Sequence, residues 1–190
     1  MKKKGLIIGI AAVLLVIVII VGSIAGAYNG LVTKQEKVQN TEHQIQNQLQ
    51  RRADLIPNLV NTVKGYAAHE EEVYTALAEA RAKLNSAGTP DEYGEAMESY
   101  DSALSRLLVV VENYPELKAS ENFINLQDEL AGTEDRIGIA RKDYNDAVTD
   151  YNQSIRKFPT VIFAGMLGFE KAEYFEASPE SNTVPTVNFD

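Results

Sequence analysis

Residues 120–158 read SENFINLQDELAGTEDRIGIARKDYNDAVTDYNQSIRKF, and the spacing of the apolar positions in this stretch decides the fold class. Leu126, Leu130, Thr133, Ile137, Ala140, Tyr144, Ala147, Tyr151, Ser154 and Phe158 follow one another in alternating steps of four and three. Those steps bring side chains to one face of a helix, whereas a strand would need a step of two. Sustained over the whole stretch, they predict a long helix packed on equally long neighbours in a left-handed arrangement. At 1.5 Å per residue it would run about 58 Å. Ser120 is placed to cap its start, and Pro159 closes it.

The same reading extends towards the N-terminus. Thr89-Pro90-Asp91-Glu92 has the form of a capping box with proline in the first helical position. It should open a third helix carrying Tyr93, Ala96, Met97, Tyr100, Ala103, Leu104, Leu107, Leu108 and Val111 and stopping before Pro115. Leu59, Val60, Val63, Ala67, Val73, Leu77, Ala80 and Leu84 supply the buried face of a second helix, which ends at Asn85-Ser86-Ala87-Gly88. Asp54 and Pro57 mark the break that separates it from a first helix with Tyr28, Leu31, Gln35, Val38, Glu42, Ile45 and Leu49 on its seam. The expectation is an all-α protein: an N-terminal transmembrane helix, then a long antiparallel up-and-down bundle of about four helices. The apolar run Val161 to Leu167 is too short to span a bilayer and should fold back across the bundle end, with a peripheral dip into lipid as the alternative. Residues 177–190 form a polar tail, expected to be mobile, with an apolar edge at Val184, Val187 and Phe189.

From Gly5 to Ala27 the chain carries no charge, enough helix to cross a hydrocarbon core of about 30 Å. Ala25-Gly26-Ala27 would suit a signal-peptide cleavage site, but the apolar run is longer than the roughly 7 to 15 residues such a signal uses, so an uncleaved anchor is favoured. Lys2, Lys3 and Lys4 precede it, which by the positive-inside bias puts the N-terminus in the cytoplasm and the bundle outside. The domain plan is therefore residues 1–27 as cytoplasmic lysines and anchor, 28–176 as bundle, and 177–190 as tail. Gly5 and Gly9 form one GxxxG pair, and Gly22, Gly26 and Gly30 repeat the spacing as a candidate transmembrane dimer face and homo-oligomer contact.

The whole chain has a formal charge of −9, which becomes −12 once the three N-terminal lysines are set aside. That balance argues against nucleic acid as a partner and against adhesion to anionic lipid head groups. There is no cysteine, so disulfides, thiolate metal sites and a cysteine nucleophile are excluded. His69-Glu70-Glu71-Glu72-Val73 begins like a zinc-protease helix, but Val73 stands where the second imidazole is required. His43 is the other histidine, and both read as solvated helix residues. No nucleophile elbow, P-loop or dinucleotide fingerprint occurs, and no catalytic, metal or cofactor residue is assigned. Arg51, Arg52 and Asp54 could bind an anion or a partner; pairing with one another and capping the next helix is the simpler reading. Glu134, Asp135, Arg136 and Arg141 suit exposed pairs along one helix. Tyr144-Asn145 and Tyr151-Asn152 repeat at seven residues, which suits core packing with hydrogen-bonded hydroxyls and a register-setting polar layer, or a ladder for a partner.

Leu49-Gln50-Arg51-Arg52-Ala53-Asp54-Leu55-Ile56-Pro57-Asn58-Leu59-Val60, continuing through Val63-Lys64-Gly65-Tyr66-Ala67 and His69-Glu70, resembles the signature region of the LemA family. A second block runs from Tyr114-Pro115 through Leu117-Lys118, Phe123, Leu126-Gln127, Thr133-Glu134, Ala140-Arg141 and Tyr144-Asn145 to Tyr151-Asn152. Phe158-Pro159, Ala164-Gly165, Gly168-Phe169 and Tyr174-Phe175 complete the likeness, which extends over nearly the whole chain. The resemblance implies a membrane-anchored antiparallel bundle of the bacterial envelope, with no catalytic residues to carry over, and a supporting role beside other membrane proteins. The expected function is an extracytoplasmic interaction or scaffold protein whose partners are membrane or envelope proteins. The rival is an envelope enzyme or ligand receptor with a pocket of acidic residues gathered from several helices.

Overall fold

In the computed structural model, which describes residues 2–175, the periodicity becomes five α-helices: α1 (Lys2–Lys64), α2 (Glu71–Ser86), α3 (Pro90–Glu112), the single turn α4 (Pro115–Lys118) and α5 (Glu121–Arg156). Two 3-10 turns follow, Thr160–Ile162 and Gly165–Leu167, and there is no strand among the described residues. The all-α reading holds. Residues 177–190, where the sequence predicts a mobile tail, lie outside the described residues, as do the side chains of Lys2, Lys3 and Lys4.

One difference from expectation is at the first helix. Asp54 and Pro57 do not break it; both lie inside α1, and Asp54 caps nothing. Proline removes one hydrogen bond and crowds the preceding turn, at a cost of roughly 3 kcal/mol. Ala53, Ile56, Leu59 and Val63 are all buried around it, and burying a large aliphatic side chain contributes about 1.5–3 kcal/mol. Packing therefore carries the helix through the proline. It ends at Gly65–Ala67, where the Tyr66 and Ala67 amides both donate to the Val63 carbonyl. The Tyr74 hydroxyl donates to the Ala67 carbonyl at 2.5 Å and ties that turn to α2. Hence α2 starts at Glu71, and α1, not α5, is the longest helix.

The chain divides into two compact units, residues 2–40 with 146–172 and residues 41–145 with 173–175, and α1 and α5 contribute to both. The larger unit holds the α2–α3 hairpin. Its connection is the expected capping box: the Glu92 amide donates to Thr89 Oγ1, and the Thr89 and Gly88 amides donate to the Glu92 carboxylate. Ser120 caps α5 by accepting from the Phe123 amide. In this unit α1 and α5 run antiparallel: Arg52 meets Glu134, while Gln44 and Gln48, earlier in α1, face Asp143 and Ile139, later in α5. Phe123, Leu130, Ile137 and Tyr144 of α5 are buried at an unbroken interval of seven, with Thr133, Ala140 and Val148 beside that seam.

In the smaller unit Leu31 and Val38 of α1 are buried, as are Ala147, Tyr151 and Asn152 of α5. Lys34 pairs with Asp150, and this holds the Asp150 carboxyl below the ordinary range. The seam stops short of its predicted end: Phe158 is 81% exposed, because α5 ends at Arg156. The run from Val161 to Leu167 does not bury itself either, since it packs through Ala164 and leaves Ile162 and Met166 in the open. The N-terminal half of α1 is long and apolar enough to cross a membrane, and from Ile10 to Val21 its large side chains are 49–66% exposed.

Candidate functional site

The repeated tyrosine–asparagine pairs grip a stretch of main chain. After Gly168, whose φ of 81° needs glycine, residues 169–175 form no regular secondary structure. In the smaller unit Asn152 makes two bonds with one residue: its Nδ2 donates to the Ala172 carbonyl and its Oδ1 accepts from the Ala172 amide, both at 2.9 Å. The Tyr151 hydroxyl donates to the Glu170 carbonyl at 2.8 Å. In the larger unit the motif recurs: Asn145 pairs with the amide and carbonyl of Phe175 at 2.9 and 3.0 Å, and the Tyr144 hydroxyl reaches the Glu173 carbonyl at 3.0 Å. A carboxamide presents one donor and one acceptor side by side, as a neighbouring strand would. The hydroxyls are hydrogen-bonded within the protein, as the packing reading expects, and the groups that the alternative would offer to a partner are taken by the chain's own C-terminal segment. Each of these bonds goes to main-chain atoms of the segment.

Phe175 anchors the end of this strap. It is buried, stacks on Tyr93 with ring centroids 6.3 Å apart, and carries the Arg141 guanidinium over its face at 4.0 Å. Nothing in the spacing of Arg141 or Tyr93 announces these contacts, since the segment that meets them is remote in sequence.

The second candidate cluster resolves differently. Arg51, Arg52 and Asp54 are not brought together: Arg51 faces solvent, Asp54 takes a hydrogen bond from Gln50 and approaches Arg81 at 4.0 Å, and Arg52 turns inward. Arg52 is only 3% exposed, at the heptad position shared by Ile45 and Leu59. Its guanidinium lies over the Tyr100 ring at 4.2 Å, touches Met97 Sδ at 3.5 Å, and pairs with Glu134 and with Asp101. Glu134 is thus used across helices, and along its own helix it also acts electrostatically on Arg141. Burial pushes the Asp101 carboxyl up, with Arg52 opposing and Glu134 adding to the rise. The arrangement is a cation layer in an apolar seam, in which one residue of α1 touches both α3 and α5.

His43 and His69 are both exposed, and no group of three or more metal-ligating side chains occurs among the described residues. An open groove of about 290 Å³ is lined by Gln44, Asn47, Gln48, Arg136, Ile139, Ala140 and Asp143. It presents one carboxylate, next to an arginine. Gly22, Gly26 and Gly30 stand on open helix surface, where an added Cβ would meet nothing within 4 Å.

The LemA family model matches residues 41–189. The chain belongs to the LemA family. This LemA-family chain is 29% identical over 193 residues to magnetosome protein MamQ 2 of Paramagnetospirillum magneticum, covering 88% of the chain and 71% of that relative. It is 28% identical to magnetosome protein MamQ of Magnetospirillum gryphiswaldense, over 82% of the chain and 67% of the relative. Protein LemA of Metamycoplasma hominis is 29% identical over 154 residues, 80% of the chain and 70% of the relative. The family match begins after the apolar half of α1 and includes the arginine layer and the whole clamp, so family membership rests on the bundle.

Buried tyrosines give the LemA bundle an alkaline limit. Burial pushes the Tyr144 hydroxyl up to about 12, with Glu42 and Glu173 adding to it. Tyr93, Tyr100 and Tyr151 are raised too, in each case chiefly by burial. A folded-state pKa above the unfolded value of about 10 means that the native state holds protons the unfolded chain has released. Stability is unaffected below about pH 10 and falls between there and about 12. Absorbance at 295 nm should show a slow tyrosinate rise, then a cooperative step that coincides with loss of helical circular dichroism. Full titration near pH 10 with helicity intact would contradict the burial.

Proposed function

We propose that this chain is a single-pass, membrane-anchored interaction or scaffold protein of the bacterial envelope, with its N-terminus in the cytoplasm and its bundle outside. The observation that carries the reading is α1, an apolar helix exposed over Ile10 to Val21 that runs without a break into the packed seam beginning at Leu31. A cleavage site at Ala25-Gly26-Ala27 would cut that helix just before the seam. The names of these relatives attach MamQ to the magnetosome and none of them to a reaction, which supports a structural role in a membrane setting. The clamp's tyrosines and asparagines bond main-chain atoms of the same chain, and Arg52 pairs with Asp101 and Glu134, so the reading assigns no catalytic role. The rival, an enzyme or receptor, needs several carboxylates gathered in one pocket, and the groove beside Gln44 and Arg136 has a single one, Asp143.

Ser86→Cys, at the exposed end of α2, introduces a single thiol into a chain that has none. Labelling by a membrane-impermeant maleimide in intact cells is the expected result. Labelling only after lysis would overturn the orientation. Crosslinking from the same thiol should capture membrane proteins, and recovery of an isolated monomer alone would remove the scaffold reading.

A further inference from the structure

We propose that residues 158–167 form a second membrane contact, a short apolar wedge lying in the boundary between head groups and acyl chains beside the anchor. The inference rests on the reading that α1 crosses the bilayer. Phe158, Ile162 and Met166 are 81%, 64% and 86% exposed, and Val161 and Leu167 join them. Five large apolar side chains on one ten-residue segment need a cover, and a bilayer is the cover that the neighbouring contacts indicate.

Three observations point to lipid. The first is position: the Phe169 ring meets Tyr28 edge-on with centroids 5.5 Å apart, and Leu167 shares a small groove with Val21, Ile24, Ala25, Tyr28 and Asn29. The wedge therefore sits where the uncharged stretch of α1 ends and an interfacial tyrosine is expected. Its apolar surface continues that of the anchor. The second is the backbone. Main-chain groups that leave water need partners within the protein, and much of this segment supplies them: Val161 donates to Lys157, Ile162 to Pro159, Phe163 and Ala164 to Thr160, and Leu167 to Phe163. The third is charge: Arg156 and Lys157 precede the wedge and Lys171 follows it, against Glu170 alone, in a chain that is strongly acidic after the anchor. Basic flanks of this kind suit anionic head groups, with their stems lying along the lipid.

The full chain, one copy per nanodisc of mixed phosphatidylcholine and phosphatidylglycerol, would carry a nitroxide at Met166→Cys, with Ile162→Cys as a second position. Val16→Cys marks the anchor and Ser86→Cys marks water. Oxygen collisions should exceed those of a water-soluble nickel chelate at residue 166 by severalfold relative to residue 86, and likewise at residue 162. Lipid-like behaviour at residue 16 with water-like behaviour at 162 and 166 would overturn the wedge and leave the anchor standing. Water-like behaviour at all three would overturn the anchor and the wedge together. With one copy and no other protein in the disc, neither a partner nor a second copy can produce the expected signal.

Discussion

Arg52→Ala lowers the unfolding free energy of the full chain in detergent by about 3 kcal/mol, whereas Arg52→Met leaves it within about 1 kcal/mol of the parent or raises it. The alanine variant removes a side chain that fills a heptad position and lies over Tyr100. It empties the layer between Ile45 and Leu59 and loses the packing of the aliphatic stem as well as the charge. The carboxylates left behind are half exposed, 56% for Asp101 and 50% for Glu134. Water can reach them, so the loss is mainly of packing. Methionine restores volume without the cost of desolvating a cation, and such exchanges in buried ion-pair layers are commonly neutral or stabilising. Chemical denaturation followed by circular dichroism measures both. A change under about 0.5 kcal/mol for the alanine variant, the size of an ordinary surface substitution, would mean that Arg52 is not held in the core.

Asn152→Ala and Asn145→Ala each cost about 2 kcal/mol, because each leaves a main-chain amide and a carbonyl of the strap without their partners. Exchange of the Ala172 or Phe175 amide should accelerate by more than tenfold in the corresponding variant, since every 1.4 kcal/mol is a factor of ten. Asn152→Asp separates the clamp from simple packing. The carboxylate still accepts from the Ala172 amide, but its second oxygen now opposes the Ala172 carbonyl where Nδ2 donated. At neutral pH this variant is less stable than Asn152→Ala. It recovers as pH falls and the acid gains a proton to donate. Equal stability of the Asp and Ala variants at every pH would show that the amide's donor is not needed.

The sequence by itself determined the class of structure and much of its punctuation. Steps of three and four from Leu126 to Tyr151, the Thr89–Glu92 box, the Ser120 cap and the uncharged stretch from Gly5 to Ala27 are local signals, and each rests on the physics of a single helix or its end. The LemA likeness was legible for the same reason, in residues that stand together along the chain. Only the tertiary structure decided the rest. Pro57 stays inside a helix because Ala53, Ile56 and Val63 find partners outside their own segment, and burial outweighs a local penalty that the sequence shows by itself. The tyrosine–asparagine repeat revealed a polar face but not its occupant, since the Ala172 and Phe175 main-chain atoms that fill it belong to another part of the chain. Arg52 read as one of a junction cluster with Arg51 and Asp54, and became a core layer once α3 supplied Tyr100 and α5 supplied Glu134. Heptad spacing states which residues turn inward; what they meet there depends on contacts across long loops of chain, which no local pattern encodes.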